Sequence, residues 1–366
     1  LRVGAARAPF ISRIGGDEFV VLFDEPHDPT HPHEIAEELV NKLAEPIEFE
    51  GRPCRFGASI GIAQAAASEA SGLLVQADLA LYEAKDGGRG QVSTFSPQLQ
   101  LALLENRALA DEVEMALGDE RIVPYFQPIL DVETGALVAL EALARWRHPE
   151  RGVLDPPAFL SASEEFGLLG AIDREILSRS VAFFQELAST GLPLPRLAVN
   201  VDCTRIHDDA LMAGAVSALG AGIPISFELK ETVVLEGEND QTRWSIDALR
   251  EKGVSIEIDD FGSGRASIVA LQKVAPDGLK IDQELVLPIV NSEAQRRLVA
   301  SILDIGRTLS IRVTAEGVET AQHHAILTDM GCHVQQGYFF AEPMTPEATL
   351  DFVRRVSAES KGARRA

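Results

Sequence analysis

The chain is poor in several residue types, and each scarcity narrows its function. It has only 3 cysteines in 366 residues, Cys54, Cys203 and Cys332, with no CxxC pair. This argues against a disulfide framework or a zinc knuckle and fits a reducing compartment, the cytoplasm. Basic residues are fewer than acidic ones, 33 against 56, and the net charge is −23. Such a charge argues against a nucleic-acid-binding surface, but a small phosphorylated ligand remains compatible because bound divalent metals reverse the local field.

Long apolar runs are also missing. No uninterrupted run is long enough to span a bilayer and no signal peptide is recognisable, so no membrane segment is predicted. The length and the 46% hydrophobic content predict two folded domains. The first residue is Leu1 and not Met, so we expect a fragment, with any sensor or membrane segment lying upstream of the sequence.

The first predicted unit covers residues 1–96. Apolar runs at Phe10–Ile14 and Phe19–Phe23 flank Gly15-Gly16-Asp17-Glu18, a pattern typical of a hairpin with a glycine-rich turn. A linker helix is predicted over residues 97–118, because Ser96 is a good N-cap, Pro97 suits the first helical position and Gly118 ends the apolar periodicity. This helix is either a plain connector or an amphipathic element that carries a signal or a dimer contact.

Residues 119–357 alternate between strand and helix patterns. About 240 residues of this alternation predict an α/β fold of the TIM-like (β/α)8 barrel type. A doubly wound sheet is the alternative, although no GxGxxG follows a first strand. Residues 358–366 are expected to form a short, basic, disordered tail. The predicted strands are Leu137–Leu143, Leu197–Val201, Ile225–Leu229, Val254–Asp259, Gly278–Ile281, Ile311–Ala315 and Val334–Phe339.

One stretch dominates the second unit. Val254, Ile256 and Ile258 alternate with polar residues, and the strand then ends in Asp259-Asp260 before a glycine-rich loop. Taken alone, such a pair is either a turn with a helix cap or a metal site built from carboxylate oxygens.

The other predicted strands favour the metal site, because almost every one ends in a group that binds metal or phosphate. The carboxyl ends of barrel strands converge on one face, so these groups are expected to meet. Carboxylate and amide oxygens in this number suit two Mg²⁺ or Mn²⁺ ions, and a lysine among them can hold a water or neutralise charge at phosphorus. The residues are Glu141, Asn200, Glu228, Glu231, Asp259, Asp260, Lys280, Asp282, Glu316, Glu319 and Gln336. The histidines show no metal-binding spacing and are interpreted as structural.

These residues stand in motifs that resemble the EAL-domain cyclic-di-GMP phosphodiesterases. The resemblance covers nearly the whole second unit, and the ordered set of motifs is highly specific. The motifs are Tyr125-Phe126-Gln127-Pro128-Ile129, Glu141-Ala142-Leu143-Ala144-Arg145-Trp146, Asn200, Glu228-Leu229-Lys230-Glu231, Asp259-Asp260-Phe261-Gly262, Lys280-Ile281-Asp282, Glu316-Gly317-Val318-Glu319-Thr320 and Gln336-Gly337-Tyr338.

The resemblance implies a barrel that dimerises and hydrolyses cyclic-di-GMP to linear pGpG with Mg²⁺ or Mn²⁺. It implies that Lys280 lies against the attacking water, with Glu141 and Glu316 also catalytic. It implies substrate contacts from Gln127, Arg145 and Gln336. It further implies that Glu231, Asp282 and Glu319 support the site, with Glu319 positioning the loop after Asp260. The implied metal ligands are Glu141, Asn200, Glu228, Asp259, Asp260 and Glu316.

The first unit resembles part of a GGDEF domain, the diguanylate cyclase family, through Arg13-Ile14-Gly15-Gly16-Asp17-Glu18-Phe19 and the later Lys85 and Arg89. The resemblance implies that Gly15 and Gly16 approach GTP phosphate, that Asp17 or Glu18 binds metal, and that Lys85 and Arg89 bind phosphate. The family's first strand, its other metal aspartate and its phosphate loop are missing. Ala6 and Pro9 stand where its inhibitory Arg-x-x-Asp would be. We therefore expect this half to be inactive in this chain.

The barrel departs from the family pattern at Lys230, at Arg265-Ala266-Ser267-Ile268 and at Glu257. By strand alternation Glu257 points into the barrel one layer below Asp259, where a lone carboxylate is costly, so we expect it to bond a polar group of a neighbouring strand. Two alternatives to the phosphodiesterase remain. One is a receptor that binds cyclic-di-GMP without turnover, and the other is a bifunctional cyclase and phosphodiesterase if a complete GGDEF half lies upstream.

Overall fold

The protein is described by a computed structural model over residues 9–23, 31–49, 52–64, 72–202, 205–233, 240–262, 264 and 268–363. Ala6, Cys203 and the departure at residues 265–267 lie outside these ranges. The chain divides into two compact units, residues 1–108 and 109–366. Among the described residues no helix is both long and apolar enough to cross a membrane.

The first unit contains short strands around two helices. Strands β1 and β2 form the predicted hairpin, with Gly15 opposite Glu18 across the turn. Strands β5 and β6 pair in parallel, and Ala80 and Ala84 of helix α2 are fully buried. The elements are β1 (Phe10–Gly15), β2 (Glu18–Leu22), α1 (His31–Leu43), β3 (Ile47–Phe49), β4 (Arg52–Cys54), β5 (Ile60–Ile62), α2 (Leu73–Asp86) and β6 (Val92–Thr94).

Helix α3 (Pro97–Gly118) follows, and the Ser96 hydroxyl accepts a hydrogen bond from the Leu99 amide at 3.1 Å, as an N-cap does.

The second unit is built on an eight-stranded closed barrel. Its strands follow the order β10-β11-β12-β13-β14-β15-β7-β8, and pairing of β8 with β10 closes the ring, while β9 extends from β8. The strands are β7 (Ile122–Asp131), β8 (Ala136–His148), β9 (Gly152–Leu154), β10 (Arg196–Asn200), β11 (Ile225–Lys230), β12 (Ser255–Phe261), β13 (Gly278–Ile281), β14 (Arg312–Ala315) and β15 (Val334–Gln336).

Helices surround the barrel because each carries one apolar stripe. Helix α10 is an example, since Ser292 caps its start and Val299, Ile302 and Leu303 are buried against the strands. The helices are α4 (Leu160–Glu165), α5 (Leu169–Ser189), α6 (Asp209–Gly220), α7 (Asp240–Lys252), α8 (Ile268–Val274), α9 (Gln283–Val286), α10 (Glu293–Leu309), α11 (Ala321–Asp329) and α12 (Pro346–Ala363). The predicted TIM-like barrel is therefore confirmed.

Several details differ from the sequence prediction, among them that strand β8 runs to His148 and strand β12 to Phe261. Strand β7 was missed; it contains two prolines, Pro124 and Pro128, and pairs antiparallel with both neighbours, so the ring is not fully parallel. Strand β15 ends at Gln336, before the predicted Phe339, because the Phe339 amide bonds the Val318 carbonyl instead of a strand partner. Helix α12 continues to Ala363, into the segment predicted as a disordered tail.

Candidate active site

Lys280 lies at the centre of the candidate site. It is completely buried on β13, and its ammonium contacts four carboxylates. Its Nζ is 2.6 Å from Glu316, 3.0 Å from Glu141 and from Glu228, and 3.2 Å from Asp259. We call these five residues the Lys280 layer. They arrive from five different strands or strand ends, so the convergence predicted from the sequence is a property of the fold.

Burial and the neighbouring charges together shift the pKa values of this layer. Burial alone would lower the pKa of Lys280, but the surrounding carboxylates, Asp259 foremost, raise it well above its usual range, so Lys280 stays protonated. Burial and then the neighbouring Glu141 charge raise the pKa of Glu228 well above its usual value. Burial raises the pKa of Glu316 to about 8, although Lys280 opposes the shift. Burial also acts to raise the pKa of Glu141, but Lys280 and three hydrogen bonds lower it overall.

Asp259 and Asp260 turn towards one point although they are adjacent in sequence. Neighbouring strand residues normally face opposite sides of a sheet. Here Asp260 takes a left-handed backbone conformation with φ of 53°, which breaks the alternation. One oxygen each from Asp259, Asp260 and Glu316 lie within 4.8 Å of one another. Burial, Asp259 and Asp282 raise the pKa of Asp260 to about 6, while the charges of Lys280 and Lys230 oppose this shift.

These residues fit divalent cations. A buried carboxylate oxygen without a hydrogen-bond partner is costly, and Glu228 Oε1 is such an atom in the described part of the chain. The donor set around it consists of hard carboxylate and amide oxygens, the ligands that Mg²⁺ and Mn²⁺ prefer.

Amide side chains bracket Glu141. Asn200 donates a hydrogen bond to Glu141 Oε1 at 2.7 Å, and Gln336 donates to Glu141 Oε2 at 2.6 Å. Gln336 also donates to Gln127 at 3.1 Å. Gln127 arrives on the antiparallel strand β7, opposite Glu141 on β8. This network fixes the orientation of the Glu141 carboxylate.

A cavity of about 280 Å³ opens above this network. Arg145, predicted to contact substrate, lies on its wall and forms an ion pair with Asp155 at 2.9 Å. Other residues that line the cavity were not predicted from the sequence, among them Gln283, Tyr338 and Pro343. Tyr338 stands in a sequence motif, but its exposed position at the edge of the cavity could not be predicted from the spacing of that motif.

The predicted supporting residues take different places. Glu231 Oε2 accepts hydrogen bonds from the amides of Gly262 at 2.8 Å and Gly264 at 3.2 Å, so Glu231 holds the start of the loop after Asp260. Asp282 caps helix α9 by accepting from the Glu284 amide at 2.8 Å. Glu319 is exposed on the wall of the cavity, and its predicted effect on the loop after Asp260 stays a prediction.

Glu257 has partners that the sequence did not reveal. Its carboxylate lies 2.5 Å from Arg196 on β10 and 3.7 Å from Arg312 on β14. The expectation that the partner of Glu257 lies on an adjacent strand was wrong, because each interior layer of such a barrel consists of side chains from alternate strands. The space for the Glu257 side chain comes from Gly278, its partner in register on strand β13. A Cβ added at Gly278 would lie 2.9 Å from Glu257 Cδ. We call Glu257, Arg196 and Arg312 the Glu257 layer.

Lys230 is exposed at the end of β11, in register with Asp259.

In the first unit, the hairpin turn is formed by Gly15, Gly16, Asp17 and Glu18, and Arg13 Nε donates a hydrogen bond to the Gly16 carbonyl at 2.7 Å. Lys85 and Arg89 are exposed on the last turn of α2 and in the loop after it.

Sequence comparison supports the same division of the chain. Residues 110–343 match the EAL domain model, and residues 2–91 match the model described as diguanylate cyclase, GGDEF domain. The chain therefore belongs to the EAL-domain family, with a GGDEF segment before the barrel.

The matches to curated relatives extend over both units of this chain. "Cyclic di-GMP phosphodiesterase NbdA" of Pseudomonas aeruginosa is 34% identical over 94% of this chain and 44% of the relative. "Cyclic di-GMP phosphodiesterase PdeR" of Escherichia coli is 32% identical, over 94% and 52%. "Bifunctional diguanylate cyclase/cyclic di-GMP phosphodiesterase MucR" of P. aeruginosa is 30% identical, over 96% and 52%. The chain thus spans about half the length of these relatives.

Solved structures agree with the barrel. The PaMucR phosphodiesterase in complex with c-di-GMP superimposes with a TM-score of 0.62 at 28% identity, covering 66% of this chain and 99% of that one. Klebsiella pneumoniae BlrP1, in a calcium and cyclic-di-GMP complex, gives a TM-score of 0.54 at 29% identity, covering 62% and 56%.

Proposed function

We propose that the barrel hydrolyses cyclic-di-GMP to linear pGpG. The observation that carries this proposal is the Lys280 layer, in which one buried ammonium faces four carboxylates beneath an open cavity. The relatives named as cyclic-di-GMP phosphodiesterases support the choice of substrate. Phosphodiester hydrolysis needs electrophilic groups near the phosphorus, and this layer supplies a fixed cation and oxygen ligands.

The site's own residues would act as follows. Lys280 stays protonated, so it donates a hydrogen bond to the attacking water or to a phosphate oxygen and does not act as the base. Glu316 lies 2.6 Å from Lys280, and without metal burial raises its pKa to about 8, so a divalent cation that binds this carboxylate near neutral pH would displace a proton. Gln127, Arg145 and Gln336 would orient the substrate at the cavity.

We propose two Mg²⁺ or Mn²⁺ ions as cofactors. Such ions, when bound, lower the pKa of water and stabilise charge on phosphoryl oxygens. The residues that would hold them are Glu141, Asn200, Glu228, Asp259, Asp260 and Glu316, and the unpartnered oxygen of Glu228 supports their need for a cation.

The test is direct. The purified chain is incubated with cyclic-di-GMP and either Mg²⁺ or Mn²⁺, and pGpG is measured by chromatography. We expect product with the unmodified chain, loss of product with Glu141→Gln, and no change with the matched control Glu251→Gln at an exposed position on α7. Binding of cyclic-di-GMP without product at any metal concentration would contradict hydrolysis and leave a receptor.

We further propose that the barrel forms a homodimer through the helices that flank β12. Trp244 on α7 is 68% exposed, and Ile268 and Val269 on α8 are 52% and 63% exposed. Large apolar side chains at such exposure favour a protein interface. Light scattering of Trp244→Glu checks this, since a monomer is expected where the unmodified chain gives a dimer; an unchanged mass for both would contradict the interface.

We infer that GTP binds at the GGDEF segment where that domain is complete. The bifunctional description of MucR, at 30% identity, supports testing for GTP. Calorimetric titration of the chain with GTP and Mg²⁺ measures binding, and GTP binding at residues 9–23 without the rest of the domain would contradict the inference. We also propose a cytoplasmic location, which the free thiol of exposed Cys54 supports.

A further inference from the structure

One wall of the site cavity is made by two separate segments. The first follows Lys280 and consists of helix α9 and the tight turn Leu287–Val290. The second follows β14 and consists of residues 316–320. Gln283 from the first segment and Glu316, Gly317 and Glu319 from the second all line the cavity. The shape of this wall depends on how firmly the two segments are joined.

The first join is a close packing contact. Gly317 has a φ of 64°, and a Cβ added there would lie 2.6 Å from Gln283 Cβ. The backbone of the second segment therefore rests directly on the first residue of α9. This contact restricts approach of the segments, but it is van der Waals in nature and does not prevent them from separating.

His323 provides the second join through hydrogen bonds. It is 5% exposed on α11, and its Nε2 lies 3.1 Å from the Leu287 carbonyl oxygen. Its Nδ1 lies 3.3 Å from the Glu319 amide nitrogen and 3.2 Å from the Thr320 hydroxyl. A carbonyl only accepts and a backbone amide only donates. The ring is therefore neutral with its proton on Nε2, donating to Leu287 and accepting from Glu319.

We infer that His323 is a positioning residue that joins the Lys280 segment to the Glu316 segment and thereby holds the cavity wall in place. The described hydrogen bonds of its ring are all to other residues of the protein. The ring reaches Leu287, on the segment that follows Lys280, and Glu319, on the segment that begins with Glu316. Since Lys280 and Glu316 are only 2.6 Å apart, a small separation of the segments disturbs their contact.

Two substitutions separate the two halves of the bridge. In His323→Gln the side-chain amide nitrogen takes the place of Nε2, so donation to Leu287 is kept. In His323→Asn the side-chain oxygen takes the place of Nδ1, so acceptance from Glu319 is kept and the Leu287 bond is lost. If the bridge between segments matters, the Gln variant is expected to behave like the unmodified chain and the Asn variant like His323→Ala.

The kinetic readout rests on the proposed hydrolysis. We expect kcat to fall about tenfold in the Asn and Ala variants, with KM changed about twofold or less, and to stay within about threefold in the Gln variant. His333→Asn, at an exposed ring, is the matched control and is expected to be unchanged. Equal activity of the Gln and Asn variants, whether high or low, would overturn the inference.

A second readout does not need hydrolysis. Hydrogen exchange of the Glu316 and Val318 amides is measured for each variant in the whole chain, because these amides bond the Ile281 and Gln336 carbonyls and not the ring of His323. We expect faster exchange in the Asn and Ala variants than in the Gln variant, at unchanged protection of β13. Uniform exchange across the variants overturns the positioning role. If the unmodified chain makes no pGpG while exchange follows the expected order, the proposed function fails and the positioning role stands.

Discussion

The barrel interior contains two charged layers of opposite composition. In the Lys280 layer one ammonium faces four carboxylates, whereas in the Glu257 layer one carboxylate faces two guanidinium groups. The Lys280 layer keeps a buried excess of negative charge, and Glu228 Oε1 has neither a hydrogen bond nor an ion pair among the described residues. Glu257 Oε1 also lacks a hydrogen bond, but it lies 2.5 Å from an Arg196 guanidinium nitrogen. The Glu257 layer compensates its buried carboxylate from within. Charge left uncompensated in a folded interior indicates a site that acts on a ligand, and a compensated layer indicates support for the fold.

The largest effect is expected at the centre of the Lys280 layer. Lys280→Met should reduce pGpG formation on the order of 10²-fold or more, because it removes the ammonium that contacts all four carboxylates. Hydrolysis rates at saturating substrate are compared with those of Lys252→Met, a lysine exposed on α7. A comparable loss in both variants would contradict the role of Lys280.

The next effect should be on stability and not on chemistry. Arg196→Ala leaves the Glu257 carboxylate buried without its 2.5 Å partner, which costs about 3–5 kcal/mol in the free energy of unfolding. Urea unfolding measures the loss, while the activity of the folded fraction should stay close to that of the unmodified chain.

A double-mutant cycle sharpens the same point. Gly278→Ala places a Cβ 2.9 Å from Glu257 Cδ, so it should destabilise the chain in the presence of Glu257 and much less in a Glu257→Ala background. Equal destabilisation in both backgrounds would show that Gly278 is needed for a reason other than Glu257.

The pH dependence of stability should distinguish a metal-free from a metal-loaded Lys280 layer. The pKa values of Glu316, about 8, and Asp260, about 6, are raised above those of an unfolded chain. A raised pKa stabilises the fold at low pH, and this contribution is lost as pH rises through the folded value. Without metal, the contribution of these two groups to the free energy of unfolding should therefore fall as the pH rises from about 5 to about 8.

Mg²⁺ should oppose that trend, because protons and metal compete for the same oxygens. The increase in unfolding temperature on adding Mg²⁺ is expected to be larger at pH 8 than at pH 6. Asp260→Asn should weaken the Mg²⁺ effect. A shift that is equal at both pH values would indicate that Mg²⁺ binds elsewhere.

The smallest effect is expected at the edge of the Glu257 layer. Arg312 lies 3.7 Å from Glu257 and its side chain is 38% exposed, so solvent screens the pair. Arg312→Gln should change the free energy of unfolding by about 1 kcal/mol or less. A loss as large as that of Arg196→Ala would mean that both guanidinium groups are equally necessary to the buried carboxylate.

The sequence predicted the parts of the fold that follow from periodicity. Strand Gly278–Ile281 has the predicted bounds, and all four of its residues are buried. Strand β7 was missed because its prolines break the usual strand pattern, and its antiparallel direction depends on partners distant in the chain.

The candidate site was predictable for a different reason. Residues at the ends of barrel strands converge whatever the details of packing, so Glu141, Glu228 and Lys280 could be grouped before their distances were known. The partner of Glu257 and the bridge made by His323 could not. Both depend on which side chains meet across non-adjacent segments, and neither leaves a fixed spacing in the sequence.

The close fit between Gly278 and Glu257 also constrains the history of this barrel. A glutamate arriving at position 257 before residue 278 had become glycine would have met a Cβ at 2.9 Å from its Cδ. Substitution of Gly278 by a larger residue is hindered for as long as Glu257 remains. Descendants of this chain are therefore expected to keep both Gly278 and Glu257 or to change both.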